Sequence, residues 1–198
     1  MPTLADYTRR LNLPPSRVLP RLILMTDEVR LADPRPAAAR LARGDAVILR
    51  HYGDPQRRSL AIALRRTCRP RGVRLLIAGD VRLAVEIGAD GLHLPEWRIS
   101  AGDWRATRAR FGLITAAAHG PAALRAAARA GVDAALLSPV FPTLSHPDSP
   151  ALGALRFTAL CRAAALPVYA LGGIGPDNVM RLKASGLAGI AGIGGLVD

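Results

Sequence analysis

Eight short apolar runs recur along the chain: RLILMTD (21–27), DAVILR (45–50), VRLLIAG (73–79), DGLHL (90–94), GLITAAA (112–118), VDAALLSP (132–139), PVYALGG (167–173) and AGIAGIG (188–194). Each is apolar at consecutive rather than alternate positions, the pattern of a strand buried on both faces. Ala-, Arg- and Leu-rich segments with helical spacing lie between them, among them PRPAAARLARG (34–44), PAALRAAARAG (121–131) and PDNVMRLKASG (176–186). Proline near the start and glycine just past the end mark several of these as helices. Strand and helix in repeated alternation predict an α/β fold with a parallel sheet. Repetition about eight times predicts closure into a (β/α)8 TIM barrel, with an open doubly wound sheet as the alternative. Residues 1–198 read as a single TIM-barrel domain, short for its class, with 1–19 as an N-terminal helical extension. Only GLVD follows the last run, so a missing or reduced last helix is expected.

Half of the residues are hydrophobic but only 4% are aromatic, so the core has to be built from Ala, Leu, Val and Ile. No apolar run reaches the roughly 18 residues that span a bilayer, which argues against a membrane partner. The amino terminus, MPTLADYTRRLNLPPSR, lacks the apolar stretch of a signal peptide. Cys68 and Cys161 have neither CxxC spacing nor a neighbouring His cluster, and two such thiols suit the reducing cytoplasm. The net charge of +12 raises the question of nucleic acid. In the densest basic stretch, QRRSLAIALRRTCRPRGVR (56–74), Arg58, Arg65, Arg66 and Arg69 fall at helical spacing on one face, as on a solvated helix. No aromatic residues interleave to stack bases, so nucleic acid is not expected as a partner.

Ligand sites of a barrel lie at the carboxyl ends of its strands, and phosphate often sits at the loops after strands seven and eight. Those ends carry Gly172-Gly173 and Gly194-Gly195. Side-chain-free amides there, helped by helix amino termini, suit one phosphate group, and tight turns are the alternative explanation. Arg50 ends the second run and can pair with an anion or with an Asp such as Asp27. His93, between two leucines of the fourth run, reads as a buried barrel residue with a hydrogen-bond partner. His119 follows the fifth run just before a helix, where an imidazole can act as general acid or base near neutral pH. The long loop SPVFPTLSHPDSPALG (138–153), which contains Thr143, suits a lid over a ligand.

Taken in order, these residues resemble the family of thiamine phosphate synthase and its thiazole tautomerase (TenI-like) relatives. The segments that carry the likeness are GADGLHL (88–94), SPVFPTLSHPDSPALG (138–153) and LPVYALGGIGPDN (166–178). The resemblance implies a (β/α)8 barrel that binds a thiazole phosphate through its last two strand loops. Synthases of the family join a pyrimidine pyrophosphate to the thiazole and release pyrophosphate with the help of Mg²⁺. Their third strand usually ends in Asn-Asp, where this chain has Ile77-Ala78-Gly79-Asp80, and their Gly-Gln after the His-Leu pair is replaced by Pro95-Glu96-Trp97. A pyrophosphate-binding lysine falls at His146, and a second is absent from HYGDPQ after Arg50.

These departures favour the tautomerase branch, which needs a phosphate anchor and a proton carrier but no metal. The His of that branch's SxH-like motif matches His119, with Ala117 in place of the Ser. The implied site has His119 as general acid/base, Gly172, Gly173, Gly194 and Gly195 on the phosphate, Arg50 and Thr143 on other polar groups, and no metal ligand. The alternatives are a divergent synthase that recruits Glu96 or Asp80 for Mg²⁺, and a non-catalytic barrel that senses or carries a phosphorylated ligand. The expected partner is a small phosphorylated substrate, and a homodimer is left open.

Overall fold

A computed structural model describes residues 4–8, 11, 19–102, 104–143 and 150–193. Each apolar run supplies one strand: β1 (Leu22–Met25), β2 (Ala46–Leu49), β3 (Arg74–Ala78), β4 (Gly91–Leu94), β5 (Leu113–Ala118), β6 (Ala134–Leu137), β7 (Val168–Leu171) and β8 (Gly189–Gly192). The strands pair in parallel and in chain order around a closed barrel. Closure is made by β8 against β1, with Leu22 opposite Ile190 and Leu24 opposite Gly192. The TIM-barrel expectation is met, and the open sheet is excluded.

Two apolar layers explain why the strands show no polar alternation. Ile23, Met25, Ile48, Leu76, Leu136 and Tyr169 pack together inside the barrel. Their strand neighbours Leu24, Val47, Leu49, Leu75 and Ile77 instead pack with helix residues such as Ala61, Leu64 and Phe157. Burial of one such Leu or Ile stabilises the fold by roughly 1.5–3 kcal/mol, so both faces favour the same strands. Tyr169 is the bulkiest fully buried side chain, and its hydroxyl donates to Pro20 O at 2.6 Å. Gly189 on the adjacent strand leaves it space, since a Cβ there would stand 2.8 Å from Tyr169 Cε1 and 2.4 Å from Arg21 O.

Helices α1 (Leu4–Thr8), α2 (Arg35–Arg40), α3 (Arg57–Cys68), α4 (Val81–Glu86), α5 (Trp104–Arg108), α6 (Pro121–Ala130) and α7 (Gly153–Ala163) complete the described elements, apart from short 3-10 turns. With six residues each in α2 and α4 and five in α5, the repeats fit into a short chain. Helix α6 begins at Pro121 and ends at Gly131, whose φ of 73° closes it in the left-handed conformation. Asp80 caps α4, its side chain accepting the Leu83 N–H at 2.9 Å.

Segment 176–186 departs from the expected helix and holds only a 3-10 turn, Val179–Leu182. The Asn178 side chain accepts from Gly175 N–H at 3.0 Å and donates to Gly173 O at 2.8 Å, folding the loop back before a helix can start. Its buried residues Val179 and Leu182 are three apart, the repeat of a 3-10 turn.

On α3, Arg58 pairs with Glu86 and Arg65 with Asp90. Asp90 also accepts the Leu75 N–H at 2.8 Å, so these arginines join the helix to neighbouring barrel elements. Cys68 and Cys161 are free and buried, and burial pushes both thiols up to about 11. Among the described residues no helix is long and apolar enough to cross a membrane. Gly194, Gly195, the segment expected to hold a reduced last helix, and His146 lie outside the described residues.

Candidate active site

The carboxyl ends of the strands form one rim, and its first two corners are bound together by hydrogen bonds. After β2, the Arg50 N–H donates to Thr26 Oγ1 (3.0 Å), its Nε to Thr26 O (2.8 Å) and its Nη2 to Asp27 Oδ2 (3.1 Å). Arg30 Nη2 reaches the same Asp27 oxygen at 2.9 Å. The Arg30 hydrogen bond is the main reason the Asp27 carboxyl is held well below the usual carboxylate range. Two guanidiniums share this one carboxylate, so Arg50 can pair with Asp27 and still attract an anion. His51 locks the corner from behind, with Nδ1 2.8 Å from Thr26 Oγ1 and Nε2 3.3 Å from Ala32 O.

Across the rim, a cavity of about 190 Å³ is lined by Arg30, Arg50, Thr143, Gly172 and Gly173, with Met25, Leu171, Ile174 and Ile193 among its apolar lining. It brings together four of the residues singled out from the sequence. Gly172 and Gly173 have φ of 94° and 65°. Among the described residues, the amides of Gly172, Gly173 and Ile174 donate to no acceptor. Successive unpaired N–H groups of this kind can form a nest for an anion. The glycines have a second reason to be there. The β6 loop lies against them, with Phe141 N–H donating to Gly172 O at 3.1 Å. A Cβ on Gly173 would fall 2.3 Å from Pro142 O. The pair that permits this close backbone approach is thus also the one that carries the unpaired amides.

His119, immediately after β5, does not line this cavity. It is one residue beyond Ala118, whose carbonyl accepts the N–H of the cavity residue Ser138 at 3.0 Å. Glu96, on the turn that follows β4, holds it. Glu96 Oε2 accepts the His119 backbone N–H at 2.9 Å and meets its Nδ1 at 2.6 Å. An ionised carboxylate only accepts, so Nδ1 carries the hydrogen and Nε2 is left for proton exchange. Glu96 thus supplies the orientation that Ala117, in place of a Ser, does not. Both side chains are about half exposed, at 53% and 42%. From the sequence Glu96 was legible only as a possible metal ligand, because its nearness to His119 depends on the pairing of β4 with β5, where Leu94 lies opposite Ala116.

His93 is buried inside the barrel, with Nδ1 2.9 Å from Thr115 Oγ1. Burial, aided by the charge of Arg50, pulls its pKa down to about 3, so it is a neutral core residue. A larger cavity of about 340 Å³ lies between α6 and α7, lined by Leu124, Arg125, Ala128 and Leu160. No strand end contributes to it, and the rim holds the convergent polar groups.

The family model described as thiamine monophosphate synthase matches residues 23–196. The chain belongs to this family. It is 30% identical over 171 residues to a thiamine-phosphate synthase of Thioalkalivibrio sulfidiphilus, covering 84% of this chain and 81% of that one. It is 38% identical over 170 residues to the thiamine-phosphate synthase of Chromobacterium violaceum, covering 82% and 80%. The solved structure of thiamine phosphate pyrophosphorylase from Pyrococcus furiosus shares the fold, with a TM-score of 0.71 at 24% identity over 87% of this chain and 85% of that one.

Synthase chemistry in this family implies magnesium, an ion usually held by one or two carboxylates together with substrate phosphates and water. Among the described residues no group of three or more His, Cys, Asp or Glu side chains can hold a metal ion. Asp80 is engaged in capping α4, and Glu96 in holding His119. Both carboxylates considered for Mg²⁺ from the sequence are thus already partnered by protein groups.

Proposed function

We propose that the chain binds a thiazole phosphate and moves a proton from its ring without a metal, as the tautomerase branch of the family does. The observation that carries this reading is the Glu96–His119 pair, held at 2.6 Å on the rim beside the glycine-lined cavity. The phosphate lies on the free amides of Gly172 and Gly173 and in the field of Arg30 and Arg50. His119 Nε2 takes a proton from a ring carbon and returns it to a carbon outside the ring, which leaves the ring aromatic. One C–H bond breaks, one forms, and nothing is oxidised or reduced. Glu96 stabilises the imidazolium that exists between the two transfers.

The test is turnover of the carboxythiazole phosphate tautomer by the parent, His119→Ala and Glu96→Ala. General acid–base catalysis contributes roughly 10²–10⁴-fold, so His119→Ala is expected to lose that much, and Glu96→Ala less. Equal rates for the parent and His119→Ala remove His119 from the chemistry.

The names of the curated relatives favour a second reading, coupling of a pyrimidine pyrophosphate to the thiazole phosphate. Formation of thiamine phosphate from the two phosphorylated halves, dependent on Mg²⁺, would put that reading in place of the first.

A further inference from the structure

Arginine, not carboxylate, occupies the carboxyl end of β3. Arg57 Nη2 donates to Ala78 O at 2.5 Å, and Arg98 Nη1 donates to Gly79 O. A side chain has little place at position 79. The φ of Gly79 is 69°, and a Cβ would stand 3.3 Å from Tyr52 Cε1 and 3.5 Å from Pro95 Cγ. The carboxylate that follows, Asp80, has one oxygen on the Leu83 N–H and the other 3.8 Å from Arg57 Nη1. Arg57 Nε is buried with no hydrogen-bond partner, and Arg98 makes no ion pair among the described residues. The two guanidiniums lie against exposed aromatic rings, Arg57 5.3 Å from the Tyr52 centroid and Arg98 5.6 Å from that of Trp97. The corner therefore holds two positive charges, one carboxylate that is already committed to capping α4, and an unused N–H donor. A divalent cation is repelled from such a corner, and an oxyanion is drawn to it.

We propose that this corner is an oxyanion subsite in which Arg57 and Arg98 carry the charge that magnesium would otherwise carry. The ligand group is a second anionic end of the substrate, a pyrophosphate or a ring carboxylate, bound directly by guanidinium. The inference rests on reading the barrel mouth as the site of a phosphorylated substrate, but its test involves no turnover.

Inorganic pyrophosphate and, separately, thiazole-2-carboxylate are titrated into the full chain by calorimetry and thermal shift, first in EDTA and then in Mg²⁺. Binding of at least one probe in EDTA is expected, with a rise in Tm, and no rise from Mg²⁺ alone. The probe that binds identifies the anion. Arg98→Gln and Arg57→Gln are each expected to weaken that binding about tenfold or more, by loss of a charged hydrogen-bond donor. Arg57 also holds the end of β3, so Arg98→Gln decides the matter if the Arg57 variant does not fold. Binding only in the presence of Mg²⁺, a rise in Tm from Mg²⁺ alone, no binding of either probe, or parental affinity in the Gln variants would each overturn the proposal. Failure of the His119 assay leaves this result intact, and the reverse also holds.

Discussion

Gly173→Ala tests the backbone packing that shapes the cavity. The new Cβ would stand 2.3 Å from Pro142 O and 2.5 Å from Phe141 O, and the backbone φ of 65° is one that L-residues avoid. The left-handed conformation costs a non-glycine residue roughly 1–2 kcal/mol. Overpacking adds about 1–3 kcal/mol. The two oxygens cannot swing aside like a side chain, because Val140 N–H on Leu171 O (2.9 Å) and Phe141 N–H on Gly172 O (3.1 Å) pin the loop to β7. A total loss of about 2–5 kcal/mol is expected, read as a lower urea midpoint at unchanged slope. Gly175→Ala is the internal control. Its Cβ would meet nothing within 4 Å and its φ lies outside the left-handed range. That variant is expected to match the parent or gain about 0.4–1 kcal/mol. Phosphate affinity should fall with stability in Gly173→Ala, because Thr143 rides on the displaced loop and lines the same cavity. Equal midpoints for the two variants would refute the close approach of loop and strand.

His93 gives the fold an acid-sensitive core. The folded protein keeps this imidazole neutral down to about 3, whereas the unfolded chain protonates it near 6.5. Its contribution is therefore complete above pH 6.5 and is lost as the pH falls toward 3, with a slope of up to about 1.4 kcal/mol per pH unit. Urea midpoints between pH 6.5 and 4.5 should fall less steeply in His93→Gln, and parallel slopes would contradict the burial argument. Tyr169→Phe leaves Pro20 O without its 2.6 Å donor inside the barrel, and a loss of about 1–3 kcal/mol in urea unfolding is expected. A neutral result would mean that water reaches that carbonyl.

The sequence by itself determined the barrel. Consecutive apolar residues have one stable use in an α/β chain, a strand covered on both faces, and all eight runs became strands of one parallel sheet. It also determined local punctuation, such as Pro121 and Gly131 around α6, and the candidate grouping of Arg50, Thr143, Gly172 and Gly173 at strand ends. Helical spacing was misleading in 176–186, where the Asn178 side chain competed for the backbone. Only the tertiary structure decided which polar groups meet. Glu96 and His119 are 23 positions apart and join across adjacent strand ends, and Arg57 and Arg98 reach the end of β3 from opposite sides in sequence. Apolar periodicity is a local property of the chain, repeated along each element, so a reader of one sequence can find it. A hydrogen bond across the rim depends on strand order, register and a few tenths of an ångström, and those are set only once the barrel has closed.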